Sequence, residues 1–262
     1  MRTLSPATSA KLFVTGFTIG PVVDSLHNQC LLKYDMLPIS LEWPSALAGF
    51  SDYPYYFCSS WTVPPLLGIA YVVLGGVLPR IFEALLQPFE KKTTYDDTST
   101  GASESQRKMK MRAFLAVTTT ALIIKLSELL ETNPGLTDSF FGSSPLDRPG
   151  AHLVVMLVAS LSQWAFLDGT VPALFAASIT SVGGPLSELP FVANGFWEYL
   201  DQAADYFPLL NVPSNSQTLQ SVLGENYQNL ALSSITGPCY FAVTMDAIAL
   251  GRWFDSTQER EQ

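Results

Sequence analysis

Between Ser59 and Pro79 the chain places Trp61, then Pro64 and Pro65, then Leu66 to Leu78 without a single charge before Arg80. Proline fits the first turn of a helix, tryptophan favours the lipid headgroup level, and about fifteen apolar residues stopped by Pro-Arg read as a membrane span with its start and its end. This feature excludes an ordinary soluble domain. It predicts an all-α, polytopic membrane protein.

Composition supports that reading. Only 14% of the residues are charged, and the mean hydropathy is +0.23. The charges also avoid whole windows of about twenty residues, the length of a bilayer crossing. Six windows emerge: Lys11–Asn28, Val63–Phe82, Met111–Glu131, His152–Leu167, Val171–Val192 and Ile235–Phe254. The second, third and sixth are cleanest. The first is interrupted by Pro21 and crowded at its end by Asp24, His27 and Asn28, which leaves its completeness open.

Basic residues in short loops stay on the cytoplasmic side. With six spans, one side receives Arg2, Lys11, Lys91, Lys92, Arg107, Lys108, Lys110, Arg112, Arg252 and Arg260, and the other only Lys33 and Arg148. Both chain ends are therefore expected in the cytosol. The net charge of −9 comes from acidic far-side loops carrying Asp35, Glu42, Asp52, Asp138, Asp147, Glu198, Asp201, Asp205 and Glu225, and that balance argues against nucleic acid as a partner. The chain is read as one membrane domain over residues 1–262, with a flexible, hydroxyl-rich cytosolic loop at 91–107 and a long luminal loop at 200–234. No removable signal is expected at the N-terminus, where the apolar run breaks at Pro21. Cys30 and Cys58 can pair in an oxidising lumen, the alternative being three free thiols with Cys239.

Ionisable side chains inside spans carry more information, because each costs about 2.5–3.5 kcal/mol to insert unless it is paired or faces a cavity. Lys125 is expected to pair with Glu128 or Asp24, while Asp246 has no partner visible in the sequence. The Asp24-x-x-His27 spacing is too common to argue for a metal, and no catalytic motif occurs, so neither an enzyme nor a cofactor is expected.

Several stretches resemble the Insig (insulin-induced gene) proteins of the endoplasmic reticulum. Ser59–Gly68 resembles the start of that family's second span, Ile124-Lys125-Leu126 its third, and Ser162–Asp168 the end of its fourth. Asn194–Tyr199 resembles the segment after the fifth, and Pro238–Phe241 with Gly251-Arg252 the sixth. The resemblance implies a six-helix Insig-like bundle in the endoplasmic reticulum membrane. It implies a sterol or diacylglycerol-like ligand among the middle spans, with Trp61, Leu126, Trp164 and Tyr199 lining the slot. It also implies that the protein retains or controls a sterol-pathway membrane partner, possessing a sterol-sensing domain, through Asp168; the residue-level alternative is that Asp168 caps the next helix. The uncharged Gly169-Thr170-Val171, the Gly183-Gly184-Pro185 break and the long far-side loop depart from the family's pattern. A competing class is a small-solute transporter or channel that uses Asp246 and Lys125, with broken helices at Pro21 and at Gly183-Gly184-Pro185.

Overall fold

The structure, a computed structural model, describes residues 3–45, 54–86, 102–138, 147–213 and 215–258. Arg2, Asp52, Lys91, Lys92, Arg260 and the hydroxyl-rich run up to Gly101 lie outside the described residues.

Helix α1 (Pro6–Thr18) opens with Pro6 behind Ser5, whose hydroxyl accepts from the Thr8 amide at 3.0 Å. This is the expected way to satisfy an orphan donor at a helix start. Ile19 separates α1 from α2 (Gly20–Leu31), because Pro21 lacks the amide that would continue the ladder. The chain is thus helical from residue 6 to 31 with one interruption, further than the first window predicted. Val63–Val72 (α3), a π-turn at Val73–Val77 and Leu78–Leu86 (α4) form one continuous rod. Helix α5 (Ala102–Thr132) begins within the expected flexible loop, so residues 102–107 are helical. Helices α6 (Arg148–Leu167), α7 (Val171–Ala193), α8 (Gln217–Leu223) and α9 (Thr236–Gln258) follow.

Among the described residues, three helices are long and apolar enough to cross a membrane: Val63–Leu86, Glu104–Thr132 and Arg148–Leu167. Helix α7 is unbroken despite Gly183 and Gly184, and Pro185 and Pro190 lie inside it. The break expected at Gly183-Gly184-Pro185 is therefore absent. The helix ends after Pro190, whose carbonyl accepts from both the Asn194 amide and its side chain.

Helix α9 is the axis of the bundle. Phe241, Ala242, Met245, Ala247 and Ile248 are buried around it, and it packs on α1, α3, α5, α6 and α7. Its closest approach is to the π-turn, where a Cβ on Gly75 would collide with the Ala247 carbonyl and one on Gly251 with the Gly75 carbonyl. Both glycines are required for that crossing.

The chain is not purely α-helical. Leu32–Tyr34 (β1) pairs antiparallel with Trp197–Tyr199 (β4), with Tyr34 opposite Trp197 and Leu32 opposite Tyr199. Pro38–Glu42 (β2) pairs with Tyr55–Ser60 (β3) in a second two-stranded sheet. Period-2 alternation turns Trp197 and Tyr199 inward. It leaves Lys33 and Glu198 outside, where they pair at 2.7 Å, and Glu198 and then Asp35 raise the Lys33 pKa. The long 200–234 loop folds over the same end of the bundle, packing Leu223, Tyr227 and Leu232 on Leu189 and Tyr199. Cys30, Cys58 and Cys239 are all free.

Candidate functional site

A cavity of about 190 Å³ lies between α2, α3 and α7, beneath the β1–β4 ribbon. Val63, Leu66, Leu67, Ala70 and Leu32 supply its apolar wall, and Tyr34, Phe191, Trp197 and Tyr240 its aromatic one. Its ionisable groups besides the tyrosines are Asp24 and Glu188. A smaller recess of about 70 Å³ continues inward past Glu188 and Tyr240 to His27, Tyr199, Thr236 and Cys239.

Glu188 is the organising residue. It is 8% exposed, on the inner face of α7. Its Oε2 accepts from the Tyr199 hydroxyl at 2.7 Å and from Trp197 Nε1 at 3.4 Å, and its Oε1 accepts from the Tyr240 hydroxyl at 2.8 Å. Each donor has a reason to be there. The strand register points Trp197 and Tyr199 at α7, and the bare Cα of Gly184 leaves space for the Tyr240 ring, which a Cβ there would strike. Burial and then the neighbouring carboxyl hold the Tyr199 phenol well above its usual pKa, and burial does the same for Tyr34. Both phenols stay protonated and available as donors.

Asp24 faces the cavity from α2. One of its oxygens accepts from Asn28 Nδ2 at 2.8 Å, and the other is 3.7 Å from His27 Nε2. The far side of the His27 ring is fixed by Ser127 on α5 at 2.8 Å. The Ser127 hydroxyl itself donates to the Ile124 carbonyl at 2.6 Å, so it accepts the Nδ1 proton of His27.

The residues singled out in the sequence are dispersed. Tyr199 reaches the inner recess. Trp61 is 66% exposed at the start of α3, on the outer surface, and Leu126 packs on the cluster around Ile123 and Ile124. Trp164 joins the α7–α9 packing and donates its indole N–H to the Thr170 carbonyl at 2.9 Å. Lys125 pairs with Glu128 and not with Asp24. Asp246, fully buried, does have a partner: the Tyr71 hydroxyl donates to it at 3.3 Å. Missed in the sequence was Glu188, although the rule that drew attention to Lys125 and Asp246 applies equally to a lone carboxyl within an uncharged window.

Asp168 is occupied within the molecule. One oxygen accepts from the Thr170 amide at 3.0 Å and from the Thr170 hydroxyl, and the other binds Arg252 of α9. Its side chain is only 8% exposed. Arg252 also reaches Glu83 at 3.5 Å. Beside it Arg80 binds Asp255, which accepts from the Thr8 hydroxyl at 2.7 Å. This network ties α1, α4, α6 and α9 together at the end of the bundle opposite the cavity.

These helices, strands and buried carboxyls define a helical membrane protein with an Insig-like fold. The particular likeness is to a mycobacterial Insig homolog, MvINS from Mycobacterium vanbaalenii, with a TM-score of 0.57 and 16% identity over 98% of this chain and 97% of that one. A cross-linked trimer of MvINS matches equally, at a TM-score of 0.56 and 16% identity over the same shares. No protein-family model and no curated protein matches the sequence.

Proposed function

We propose that this protein is a lipid- or sterol-binding regulator, Insig-like in action as well as in fold. In this reading it crosses the endoplasmic reticulum membrane six times with both chain ends in the cytosol, and it retains or controls a membrane protein of the sterol pathway. The observation that carries the reading is the cavity: apolar and aromatic walls closing on two carboxyls, between helices of an Insig-like bundle. Such a recess suits an amphiphile, whose chain matches the walls and whose head meets the acids.

The partner-binding role of Asp168 takes a changed form. With both oxygens engaged by Thr170 and Arg252, Asp168 positions the α6–α7 turn and α9, and a partner would read the surface that the cluster shapes. The transporter alternative draws less support, since Asp246 is sealed against Tyr71 and Lys125 is paired with Glu128.

The test is purified protein assayed for sterol and diacylglycerol binding beside solute flux in liposomes. Saturable lipid binding without flux is expected. Flux that fails in Asp246→Asn, without lipid binding, would overturn the reading in favour of transport.

A further inference from the structure

We propose that the first turns of α5 are a contact site for anionic phospholipid headgroups, with Arg107, Lys110 and Arg112 as the residues that hold them. The site lies at the end of the bundle opposite the cavity and does not depend on what the cavity binds.

Four basic residues, Arg107, Lys108, Lys110 and Arg112, follow one another closely near the start of α5, and all four are exposed. Lys108 is paired with Glu104 at 3.3 Å. Among the described residues, Arg107, Lys110 and Arg112 have no acidic partner. The acids of this end are engaged elsewhere: Asp255 with Arg80, and both Asp168 and Glu83 with Arg252. A recess of about 220 Å³ between α4, α5 and α9 is lined by Arg80, Glu83, Arg252 and Asp255, two charges of each sign. The recess is therefore balanced, and the uncompensated positive charge lies on the outer face of α5.

The helix fixes the depth and direction of that charge. Ala113 and Ala116 are buried and set the face that α5 turns to the bundle. Arg107, Lys110 and Phe114 are spaced i, i+3, i+7 and form one outward stripe, with Met111 and Leu115 beside it. Phe114 is 67% exposed and Met111 53%. From Arg107 to Arg112 the axis rises about 7.5 Å, roughly the depth of one headgroup layer. Phe114 lies about 3 Å further along, on a helix long and apolar enough to cross a membrane. The stripe thus offers cations and then apolar side chains, in the order in which a leaflet presents phosphates and acyl chains. A soluble anion would match the cations and leave Met111 and Phe114 unused.

The opposite end differs. Lys33 is held there by Glu198 and Asp35, and Arg148 is a single exposed charge. Basic residues beside a membrane attract acidic lipids by up to about fivefold each, and several close together act jointly.

Full-length protein in a non-ionic detergent is titrated with tritiated dioleoyl phosphatidylglycerol and dioleoyl phosphatidylcholine. Binding is read by scintillation proximity at low and high salt, about 0.05 and 0.5 M NaCl. Phosphatidylglycerol is expected to bind more tightly at low salt, and the preference should shrink at high salt, where screening is stronger. Arg107→Gln, Lys110→Gln and Arg112→Gln should each lower the preference by up to about fivefold. The triple variant should bind both lipids equally, and the single variants keep the test readable if it does not fold. Arg148→Gln is the control and should leave the preference unchanged. Equal binding of the two lipids by the wild type, a preference that survives the triple substitution, or one that Arg148→Gln lowers as much overturns the assignment. Displacement of bound phosphatidylglycerol by millimolar glycerol phosphate makes the ligand a soluble anion and equally overturns it.

Discussion

A buried carboxyl is costly unless donors surround it, and the donors around Glu188 are Tyr199, Tyr240 and Trp197. Removing one leaves a buried acceptor short of its partner, which costs about 1–3 kcal/mol. Tyr199→Phe and Tyr240→Phe are each expected to destabilise the protein by that amount in thermal unfolding. The double variant should cost less than the sum if the donors act as one network. The Tyr199 pKa is raised by burial, so the stability it contributes is intact below the unfolded phenol value of about 10 and is lost as pH rises beyond it. Melting temperature measured from pH 9 to pH 11.5 should therefore fall more steeply for the wild type than for Tyr199→Phe. Asp168 is the counterpart at the opposite end. Arg252→Met strips its charge partner, and a loss of about 1–3 kcal/mol is expected because a mostly buried carboxylate is left with the Thr170 donors alone.

Elements were legible where their period is long and their punctuation strong. The Pro64-Pro65 pair announced a helix start, and α3 begins at Val63; α1 and α6 begin at Pro6 and Arg148, ahead of the windows read from hydropathy, behind the capping side chains of Ser5 and Asp147. The Gly183-Gly184-Pro185 triplet looked like a break, yet α7 continues through it. The reason is tertiary: Gly184 is spent on contact with Tyr240, and glycine in a helix yields to a packing gain of that kind. The short strands escaped notice because three to six residues of ribbon carry too little alternation to stand out beside membrane spans. At the crossing of α9 with the π-turn a Cβ on either glycine would strike backbone carbonyl groups, so Gly75→Ala and Gly251→Ala are predicted to destabilise by about 1–3 kcal/mol through overpacking. Chemical or thermal unfolding in detergent measures this, and Gly183→Ala, whose Cβ would meet nothing, is the control that should stay within about 0.5 kcal/mol.

At the scale of the molecule, hydropathy and the resemblance in scattered motifs pointed to a membrane bundle of Insig-like fold, and the likeness to MvINS agrees over 98% of the chain. The site was less legible, since Tyr34, Glu188, Trp197 and Tyr240 come from four elements and meet only through strand pairing and the approach of α9 to α7. Trp61, prominent in the sequence, proved to be a surface residue. The six-span proposal predicts that the 91–107 loop and the Asn194–Ser234 segment lie on opposite sides of the membrane; accessibility labelling of single cysteines on one side only, at both places, would reject it. The central claim is that a lipid occupies the cavity beneath the β1–β4 ribbon, and photo-cross-linking in native membranes tests it most directly. With a diazirine-bearing lipid, adducts located by peptide mass spectrometry should concentrate on Val63–Ala70 and Ser187–Trp197 and diminish in Glu188→Gln. Adducts spread evenly over the exposed helix faces, unchanged by that substitution, would contradict the account.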